Sequence, residues 1–455
     1  MAAREGQGSI NRREFVGALG GAAAVISASC TSAPPSETAD PSRPNIIYIV
    51  ADDMGYGDLS VYGRPDVRTV ALDHLASEGV RFTHAYSSAP ICTPTRVGME
   101  TGRYPARHPV GLMEPLRTGN PEHESMGLDT DQPTLTSLLS EGGYTNALFG
   151  KWHLGILPQF GPDKHGIDEF FGPLGGSIDH ISHVNGAGRH DLYRNGEEVF
   201  MDGYFTDLVT DHAVDFIAER PDPFFLSLQY TSPHWPWQRR DDPPYEPGRP
   251  LTDDGPPEIY PEMLRMFDEN VGRLMAAVDD AGIGDNTIVI FTSDNGGERY
   301  SNMAGLARGK GQVWEGGIRV PAFVRWPGVI RAGITTTQVA MGFDWTATIL
   351  AAAQVAFAPT YPPDGIDLMP VMRGDSDLVE RTLFWRTFQD LRQGAVRSGW
   401  WKYIRDEQGE YLFNLAMDPG ERTNLRDQEA DRFETLRGEY DAWGEQMLTP
   451  VPLLG

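Results

Sequence analysis

One stretch constrains the fold more than any other: residues 45–51, Asn-Ile-Ile-Tyr-Ile-Val-Ala, followed directly by Asp52 and Asp53. A continuous apolar run rich in β-branched side chains is typical of a strand buried on both faces of a parallel sheet. Two adjacent carboxylates at the end of such a strand are costly to bury unless a positive charge compensates them. The stretch therefore predicts a parallel α/β core with a cation beside its first strand. Turn or helix-cap aspartates are the alternative interpretation.

Three further apolar runs end in polar side chains in the same way. Residues 144–149 lead to Lys151 and His153, residues 223–230 lead to His234, and residues 287–292 lead to Asp294 and Asn295. Open α/β sheets bind ligands beyond the carboxyl ends of their strands. We therefore expect all these polar residues, together with Asp52 and Asp53, to form one site.

Composition excludes several classes of protein. The formal net charge of −26 argues against nucleic acid and anionic membrane surfaces as partners. An anionic substrate would need a local cluster of basic residues, because the charge of the whole chain repels it. Only 2 cysteines occur in 455 residues, which excludes a disulfide framework and a cysteine-based zinc site.

Residues 1–30 resemble a bacterial export signal. Arg12 and Arg13 form a twin arginine, and the apolar run over residues 16–26 is too short to span a bilayer. The segment ending in Cys30 is similar to a lipobox, in which Cys30 would carry a lipid anchor, although Ser27 stands where leucine is usual. The pattern predicts export by the twin-arginine machinery to the periplasm or, as a lipoprotein, to the cell surface of a bacterium. Simple cleavage at the small residues and a disordered tail are the alternatives.

The rest of the chain divides into three segments that differ in composition and in predicted secondary structure. Residues 31–43 are rich in Pro, Ser and Thr and are expected to form a flexible linker. Residues 44–354 alternate strands and helices, which predicts a catalytic domain of α/β class with a mostly parallel sheet flanked by helices. Residues 355–455 carry short strand-like segments and a closing helix over residues 430–447. They predict a smaller α+β domain with an antiparallel sheet.

Cys92 is the only cysteine outside the leader, and it stands four residues before Arg96. Proline is favoured at the first position of a helix, so Pro94 predicts that Cys92 lies just before a helix N-terminus. The free N–H groups of such an end favour anions, and the guanidinium of Arg96 adds a planar positive charge. A small buried thiol with no chemical role is the alternative interpretation.

Oxygen ligands dominate the predicted site. Asp52, Asp53, Asp294 and Asn295 suit a hard cation, Ca²⁺ or Mg²⁺, rather than zinc or copper. A thiolate from Cys92 would fit such a site poorly, because thiolates prefer soft metals.

Basic residues and histidines complete the set. Arg96, Lys151 and Lys310, with the metal, would form a compact pocket for a tetrahedral oxyanion. His153 and His234 can exchange protons near neutral pH. This combination predicts sulfuryl or phosphoryl transfer.

The run Cys92-Thr93-Pro94-Thr95-Arg96, with Thr101-Gly102-Arg103 downstream, resembles the signature of type I sulfatases. In that family the cysteine is oxidised to Cα-formylglycine. Matching motifs occur from residue 44 to the C-terminus, at residues 52–58, 150–155, 233–236, 293–296, 310–317, 412–415 and 418–419. Glu100 stands in place of the usual leucine, and Thr95 in place of the commoner serine or alanine.

The resemblance implies an alkaline phosphatase-like fold and the hydrolysis of an aryl or carbohydrate sulfate ester. It implies Ca²⁺, with Mg²⁺ as the alternative, and a formylglycine-generating enzyme as maturation partner. Formylglycine at position 92, hydrated to a gem-diol, would be the nucleophile and would ligate the metal with the four oxygen-bearing side chains. His234 with Lys310 would assist the leaving group, and His153 would take a proton so that sulfate leaves. Arg96 and Lys151 would stabilise negative charge.

Two other functions remain as alternatives: a phosphate or phosphonate ester hydrolase of the same superfamily, and a non-catalytic lipoprotein that binds sulfated glycans. Trp235 and Trp237 could stack on a sugar or an aromatic ring. A histidine-rich loop holds His165, His180, His183 and His190, for which we expect surface or substrate contacts rather than metal ligation.

Overall fold

The structure is a computed structural model, and it describes residues 43–219, 223–248, 251–252, 255–388 and 392–449. The predicted export signal, Cys30 and the predicted linker up to residue 42 lie outside the described residues. Both sheets described below belong to one compact unit, Ala39–Gly455. The domain boundary near residue 355 therefore stays a prediction.

Fourteen strands occur in the described residues. They are β1 (Asn45–Ala51), β2 (Val80–Tyr86), β3 (Thr145–Gly150), β4 (Glu169–Gly172), β5 (Tyr193–Arg194), β6 (Glu197–Glu198), β7 (Phe224–Gln229), β8 (Thr287–Ser293), β9 (Arg319–Arg325), β10 (Ile334–Met341), β11 (Thr382–Arg386), β12 (Gly394–Ser398), β13 (Trp401–Asp406) and β14 (Gly409–Asn414).

The α-helices of the same residues vary from one turn to six. They are α1 (Val70–Ser77), α2 (Cys92–Thr101), α3 (Pro121–Glu124), α4 (Leu135–Glu141), α5 (Phe205–Glu219), α6 (Ile259–Asp280), α7 (Glu315–Ile318), α8 (Gly342–Ala352), α9 (Met369–Arg373) and α10 (Ala430–Gly444). None of these helices is both long and apolar enough to cross a membrane.

Ten strands form the main sheet, in the order β10-β2-β9-β8-β1-β7-β3-β4-β5-β6. β1 lies inside the sheet and is parallel to both of its neighbours, β7 and β8. β3 continues the parallel part, whereas β9 runs antiparallel between β8 and β2. The predicted α/β class with a large, mostly parallel sheet is confirmed.

Helices cover both faces of the main sheet, and the side chains of β1 show why. Ile47 and Ile49 pack into one apolar cluster, which includes side chains of α1, α5 and α6. Ile46 and Tyr48 pack into a second cluster on the other face, with side chains of α4, α8 and α9. Because successive strand residues point to opposite faces, a strand covered on both sides must be apolar throughout.

One local prediction about the Cys92 loop is wrong. Helix α2 begins at Cys92 itself, after Ile91 in an extended conformation, and Pro94 is the third residue of the helix. Proline is tolerated there because the N–H groups of the first helical turn have no partner inside the helix. The thiol therefore lies on the first turn of α2.

The smaller sheet is antiparallel, in the order β11-β12-β13-β14, and α10 packs against it. Its last strand, β14, begins at Gly409 and ends within the motif at residues 412–415. A buried ion cluster joins this sheet to α7, the short helix directly before β9 of the main sheet. Lys402 of β13 lies 2.8 Å from a carboxylate oxygen of Glu315 and 2.8 Å from one of Glu421.

Candidate active site

The first strand ends in two buried carboxylates, each paired with a lysine. Lys151 donates a hydrogen bond of 2.7 Å from Nζ to Oδ2 of Asp52. Lys310 donates one of 2.6 Å from Nζ to Oδ2 of Asp53. The backbone of Asp53 is left-handed, with φ 64°, a conformation that aspartate tolerates better than most residues. Each of the two adjacent carboxylates therefore has its own lysine partner.

The residues after β8 lie beside those after β1, because the two strands pair in parallel along their whole length. Asn295 donates a hydrogen bond of 2.8 Å from Nδ2 to Oδ1 of Asp53. The backbone N–H of Asp53 donates to Oδ1 of Asp294 at 3.2 Å. The four predicted oxygen-bearing residues therefore form one cluster.

Two oxygen atoms of this cluster, Oδ1 of Asp52 and Oδ1 of Asn295, are buried without a hydrogen-bond partner among the described residues. Buried polar atoms are normally satisfied, so this pair calls for a ligand. Carboxylate and amide oxygens are the atoms that bind Ca²⁺ and Mg²⁺. His234 converges on the same point, since one atom each of Asp52, Asp53 and His234 lie within 4.8 Å of one another. The residues present fit a hard divalent cation.

The pKa values of the two carboxylates after β1, Asp52 and Asp53, shift in opposite directions. Burial raises the pKa of Asp52 well above its usual value, and the neighbouring charge of Asp294 adds to this. Burial also acts on Asp53, but the charges of Lys310 and His234 outweigh it and hold its pKa below the usual range. A bound cation would favour the charged form of Asp52, which the protein groups alone do not.

Cys92 is a free, buried thiol at the start of α2. Burial raises the pKa of this thiol, although Lys151 and Lys310 oppose the shift. A thiolate is therefore disfavoured at neutral pH, and the encoded side chain is a weak nucleophile.

Arg96, one turn further along α2, is buried and makes three polar contacts. Its guanidinium donates to Oδ2 of Asp294 at 3.0 Å, to the carbonyl of Lys151 at 3.1 Å and to Oε1 of Gln229 at 2.8 Å. Gln229 was missed by the sequence analysis. The signal was present in the sequence, because a glutamine at the end of a buried strand needs polar partners.

His153 is held in one orientation. Its Nε2 lies 2.9 Å from the carbonyl oxygen of Leu116, so Nε2 carries the proton and Nδ1 keeps its lone pair. Nδ1 is buried without a partner among the described residues. Gly176 leaves room for the ring, because a Cβ there would lie 2.5 Å from Cε1 of His153. Burial lowers the pKa of His153 well below its usual value, so the ring is a neutral base.

His234 stands on the opposite side of the Asp53 carboxylate from Asn295. Its Nδ1 donates to the carbonyl of Trp235 at 2.5 Å, and its Nε2 lies 3.5 Å from Oδ2 of Asp53. Burial lowers its pKa well below the usual value, and the charge of Lys310 lowers it further. An anionic ligand beside the ring would oppose that shift.

Four of the six predicted catalytic side chains line one cleft with a volume of about 330 Å³, hereafter the catalytic cleft: Cys92, His153, His234 and Lys310. Arg96 and Lys151 are buried and are not part of its lining. Glu298 also lines it and was missed, although it lies only three residues after Asn295. Burial raises the pKa of Glu298 to about 7, against the charge of Lys310.

Some of the side chains that we expected to contact the substrate or the surface are instead buried in the interior. Trp235 lines the catalytic cleft, but Trp237 is buried and packs on Tyr300 instead. The expectation of surface contacts is wrong for three loop histidines, because their rings fill the interior: His165, His180 and His183.

The protein has an α/β fold with a mixed, mostly parallel sheet, and the acidic cluster lies at the carboxyl ends of the parallel strands. This fold and this site together define an ester hydrolase of the alkaline phosphatase superfamily. The family model described as Sulfatase matches residues 44–355. The chain belongs to the sulfatase family, as the resemblance implied, and it is a sulfuric ester hydrolase.

Known proteins agree with this assignment over most of the chain. N-acetylgalactosamine-6-sulfatase from Canis lupus familiaris is 32% identical, with 90% of this chain and 87% of that protein covered. Arylsulfatase A from Bos taurus is 33% identical, with 88% and 89% covered. The crystal structure of Ps i-CgsB in complex with k-i-k-neocarrahexaose has a TM-score of 0.80 at 30% identity, covering 90% and 94%.

Proposed function

We propose that the protein releases sulfate from a sulfated carbohydrate, with Cα-formylglycine made from Cys92 as nucleophile and Ca²⁺ as its metal. The environment of Cys92 carries the proposal: a buried thiol with a raised pKa faces lysines and hard oxygen ligands. A thiolate suits neither the burial nor a hard cation, whereas a hydroxyl group suits both. A formylglycine-generating enzyme is then the maturation partner.

The choice of carbohydrate over aryl substrates is supported by two relatives. One is an N-acetylgalactosamine-6-sulfatase, and the other, Ps i-CgsB, is known in complex with a neocarrahexaose. Arylsulfatase A is similarly close in sequence, so an aryl sulfate serves as a test substrate.

Four side chains would hold the cation: Asp52, Asp53, Asp294 and Asn295. The oxygens of Asp52 and Asn295 that lack partners are the atoms this assignment explains. Ca²⁺ accepts six to eight oxygen ligands in flexible geometry, which suits a side-chain cluster of this kind better than the strict octahedron of Mg²⁺. Bound there, the ion would compensate the carboxylates and attract the sulfate group.

The modified residue would supply a hydroxyl group that attacks sulfur and a second hydroxyl whose deprotonation releases the sulfate. Arg96 and Lys151 provide positive charge near position 92, and both are held by hydrogen bonds to buried carboxylates. Such fixed charges stabilise an oxyanion without reorganisation during the reaction.

Protonation of the leaving oxygen falls to His234, with Lys310 beside it. Both line the catalytic cleft and both face Oδ2 of Asp53, at 3.5 Å and 2.6 Å. The negative charge of a bound sulfate ester raises the pKa of His234 towards the working pH, so that Nε2 can carry and donate a proton. His153, neutral and with a free lone pair on Nδ1, accepts the proton on the other side of the cleft.

Mass spectrometry of the peptide that contains Cys92 tests the modification, and kinetics on matched aryl sulfate and aryl phosphate esters test the reaction. We expect the peptide to show the loss in mass that accompanies conversion of a thiol to an aldehyde. We also expect the enzyme to hydrolyse the aryl sulfate faster than the aryl phosphate. The Cys92→Ser variant, made in a host that modifies only cysteine, should be inactive. Full activity of this variant would show the assignment of the nucleophile to be wrong.

Two alternatives give different results in the same experiments. A phosphate or phosphonate ester hydrolase would prefer the aryl phosphate. A non-catalytic glycan-binding protein would bind sulfated sugars without releasing sulfate, even when fully modified.

We also propose export by the twin-arginine route, supported by Arg12 and Arg13 and the apolar run that follows them. Cell fractionation of a variant with both arginines changed to lysine tests this. Retention of the variant inside the cell is expected, and unchanged export would refute the route. Metabolic labelling with a fatty acid, compared with Cys30→Ala, tests the lipid anchor.

A further inference from the structure

A second pocket of about 170 Å³ adjoins the catalytic cleft. Thr118 lines both cavities. Gly175 lines the second pocket and its chain neighbour Gly176 lines the catalytic cleft, and the same holds for Asn185 and Gly186. The two cavities therefore lie side by side, with Thr118 between them.

Asp191 of the second pocket holds the two chain segments that run between the cavities. Its Oδ1 accepts the backbone N–H of Leu174 at 3.1 Å, and its Oδ2 accepts the N–H of Gly175 at 3.0 Å and Nδ2 of Asn185 at 3.2 Å. A Cβ on Gly175 would lie 2.6 Å from Asp191 and 2.7 Å from Oγ1 of Thr118. The absence of a side chain at Gly175 lets Asp191 and Thr118 pack directly against the backbone between the two cavities.

The charges in the second pocket do not favour another anion. Arg189 is the cation in its lining, and its guanidinium is paired with the carboxylate of Glu124. Asp191 adds a second carboxylate, and His190 donates or accepts a hydrogen bond of 2.9 Å with Glu198. A neutral, hydroxyl-rich group suits this lining, because both donors and acceptors are present without a surplus of positive charge.

An exposed aromatic ring, Phe200, lies next to the lining of this pocket and forms the aromatic surface referred to below as the Phe200 platform. The side chain of Phe200 is 75% exposed, and its ring stacks on His190 at 4.2 Å with an angle of 16°. His190 in turn lines the second pocket. A flat aromatic face held in place by a stacked neighbour can pack on the apolar C–H face of a sugar, because the ring face is electron-rich.

From the adjoining cavities and the Phe200 platform, we propose that the second pocket binds a neutral sugar unit next to the sulfated one, and that Phe200 stacks on the chain beyond. The substrate is then a sulfated oligosaccharide or polysaccharide rather than a single sulfated ring. This inference rests on the proposed function, since it places the sulfated unit in the catalytic cleft.

The test uses the full, modified protein hydrolysing para-nitrophenyl sulfate, with sugars added as competitors. The competitors are galactose sulfates, which are single rings, and k-i-k-neocarrahexaose. We expect the hexasaccharide to compete about tenfold more strongly than a single ring, the equivalent of one aromatic stacking contact. In Phe200→Ala this advantage should be lost. Trp400→Ala is the matched control, since Trp400 is also an exposed ring packed on a histidine, His84, and should keep the advantage.

Each outcome decides the inference. A hexasaccharide that competes no better than a single ring overturns it, and so does an advantage that survives in Phe200→Ala. Loss of the advantage in Trp400→Ala as well as in Phe200→Ala would also overturn it, because the effect would then not belong to this surface. If the modified protein releases sulfate from neither the aryl sulfate nor the sulfated sugars, the proposed function fails, and that result is distinct from the three outcomes above.

Discussion

Replacing Gln229 by leucine should slow the enzyme by about thirtyfold in kcat/KM while leaving its fold intact. Gln229 lies at the end of β7 and accepts a hydrogen bond of 2.8 Å from Nη1 of Arg96. Leucine has a similar volume but no acceptor. The Arg96 guanidinium would keep its contacts with Asp294 and with the carbonyl of Lys151, yet its Nη1 would lose its shortest one.

The size of the effect follows from the charge of Arg96. A hydrogen bond to a charged group contributes about 2 kcal/mol, and a loss of that size in the transition state corresponds to about thirtyfold in rate. The loss should fall on kcat/KM with a smaller effect on the unfolding midpoint, because the leucine fills the same space.

Steady-state kinetics with para-nitrophenyl sulfate, beside urea unfolding, would measure both quantities. Gln338→Leu is the matched control, because Gln338 is buried on β10 and its amide pairs only with backbone groups of Val339 and Val379. That variant should lose stability and keep its kcat/KM. A Gln229→Leu enzyme within about twofold of the parent would refute the view that Arg96 needs this acceptor.

Three further predictions concern stability and metal binding. Burial raises the pKa of Glu100 from 4.5 to about 7, so its contribution to stability is fully present below pH 4.5 and is lost as the pH rises through 7. Urea unfolding should therefore show the parent losing about 3 kcal/mol relative to Glu100→Gln over that interval, and parallel curves would contradict it. Lys402→Met removes the buried cation shared by Glu315 and Glu421, while Arg319 stays 3.5 Å from Glu315. The change should cost about 3–5 kcal/mol in unfolding free energy, and a loss below about 1 kcal/mol would show that the lysine charge does not stabilise these carboxylates. Chelation should remove activity, and added Ca²⁺ should restore it and raise the free energy of unfolding by about 3 kcal/mol at a hundredfold excess over its Kd. Asn295→Ala should weaken that response, and an unchanged response would remove Asn295 from the ligand set.

Much of the candidate site could be predicted from the chain because local rules place it. The apolar runs that became β1, β3, β7 and β8 need burial on both faces, so they lie side by side inside the main sheet. Parallel strands bring their carboxyl ends to one edge, and the polar residues after each run follow them there. This is why Asp52, Lys151, His234 and Asn295, distant in sequence, were expected together.

Other features could not be predicted because they depend on contacts between distant segments. Gln229 has its role only because α2 places Arg96 against the end of β7. Gly176 is needed only because His153 packs on it. Trp237 and Trp235 are both aromatic and two residues apart, yet one is buried and the other lines the catalytic cleft. Composition and periodicity do not distinguish such cases.

By itself, the sequence determined the α/β class, the family and the set of residues that surround Cys92, since these follow from the order of strands and motifs. The tertiary structure decided the state of each group: which lysine pairs with which carboxylate, which oxygens lack a partner, and which nitrogen of His153 keeps its lone pair. The physical reason is that protonation and ligand binding depend on burial and on charges a few ångströms away. Those distances exist only once the chain has folded.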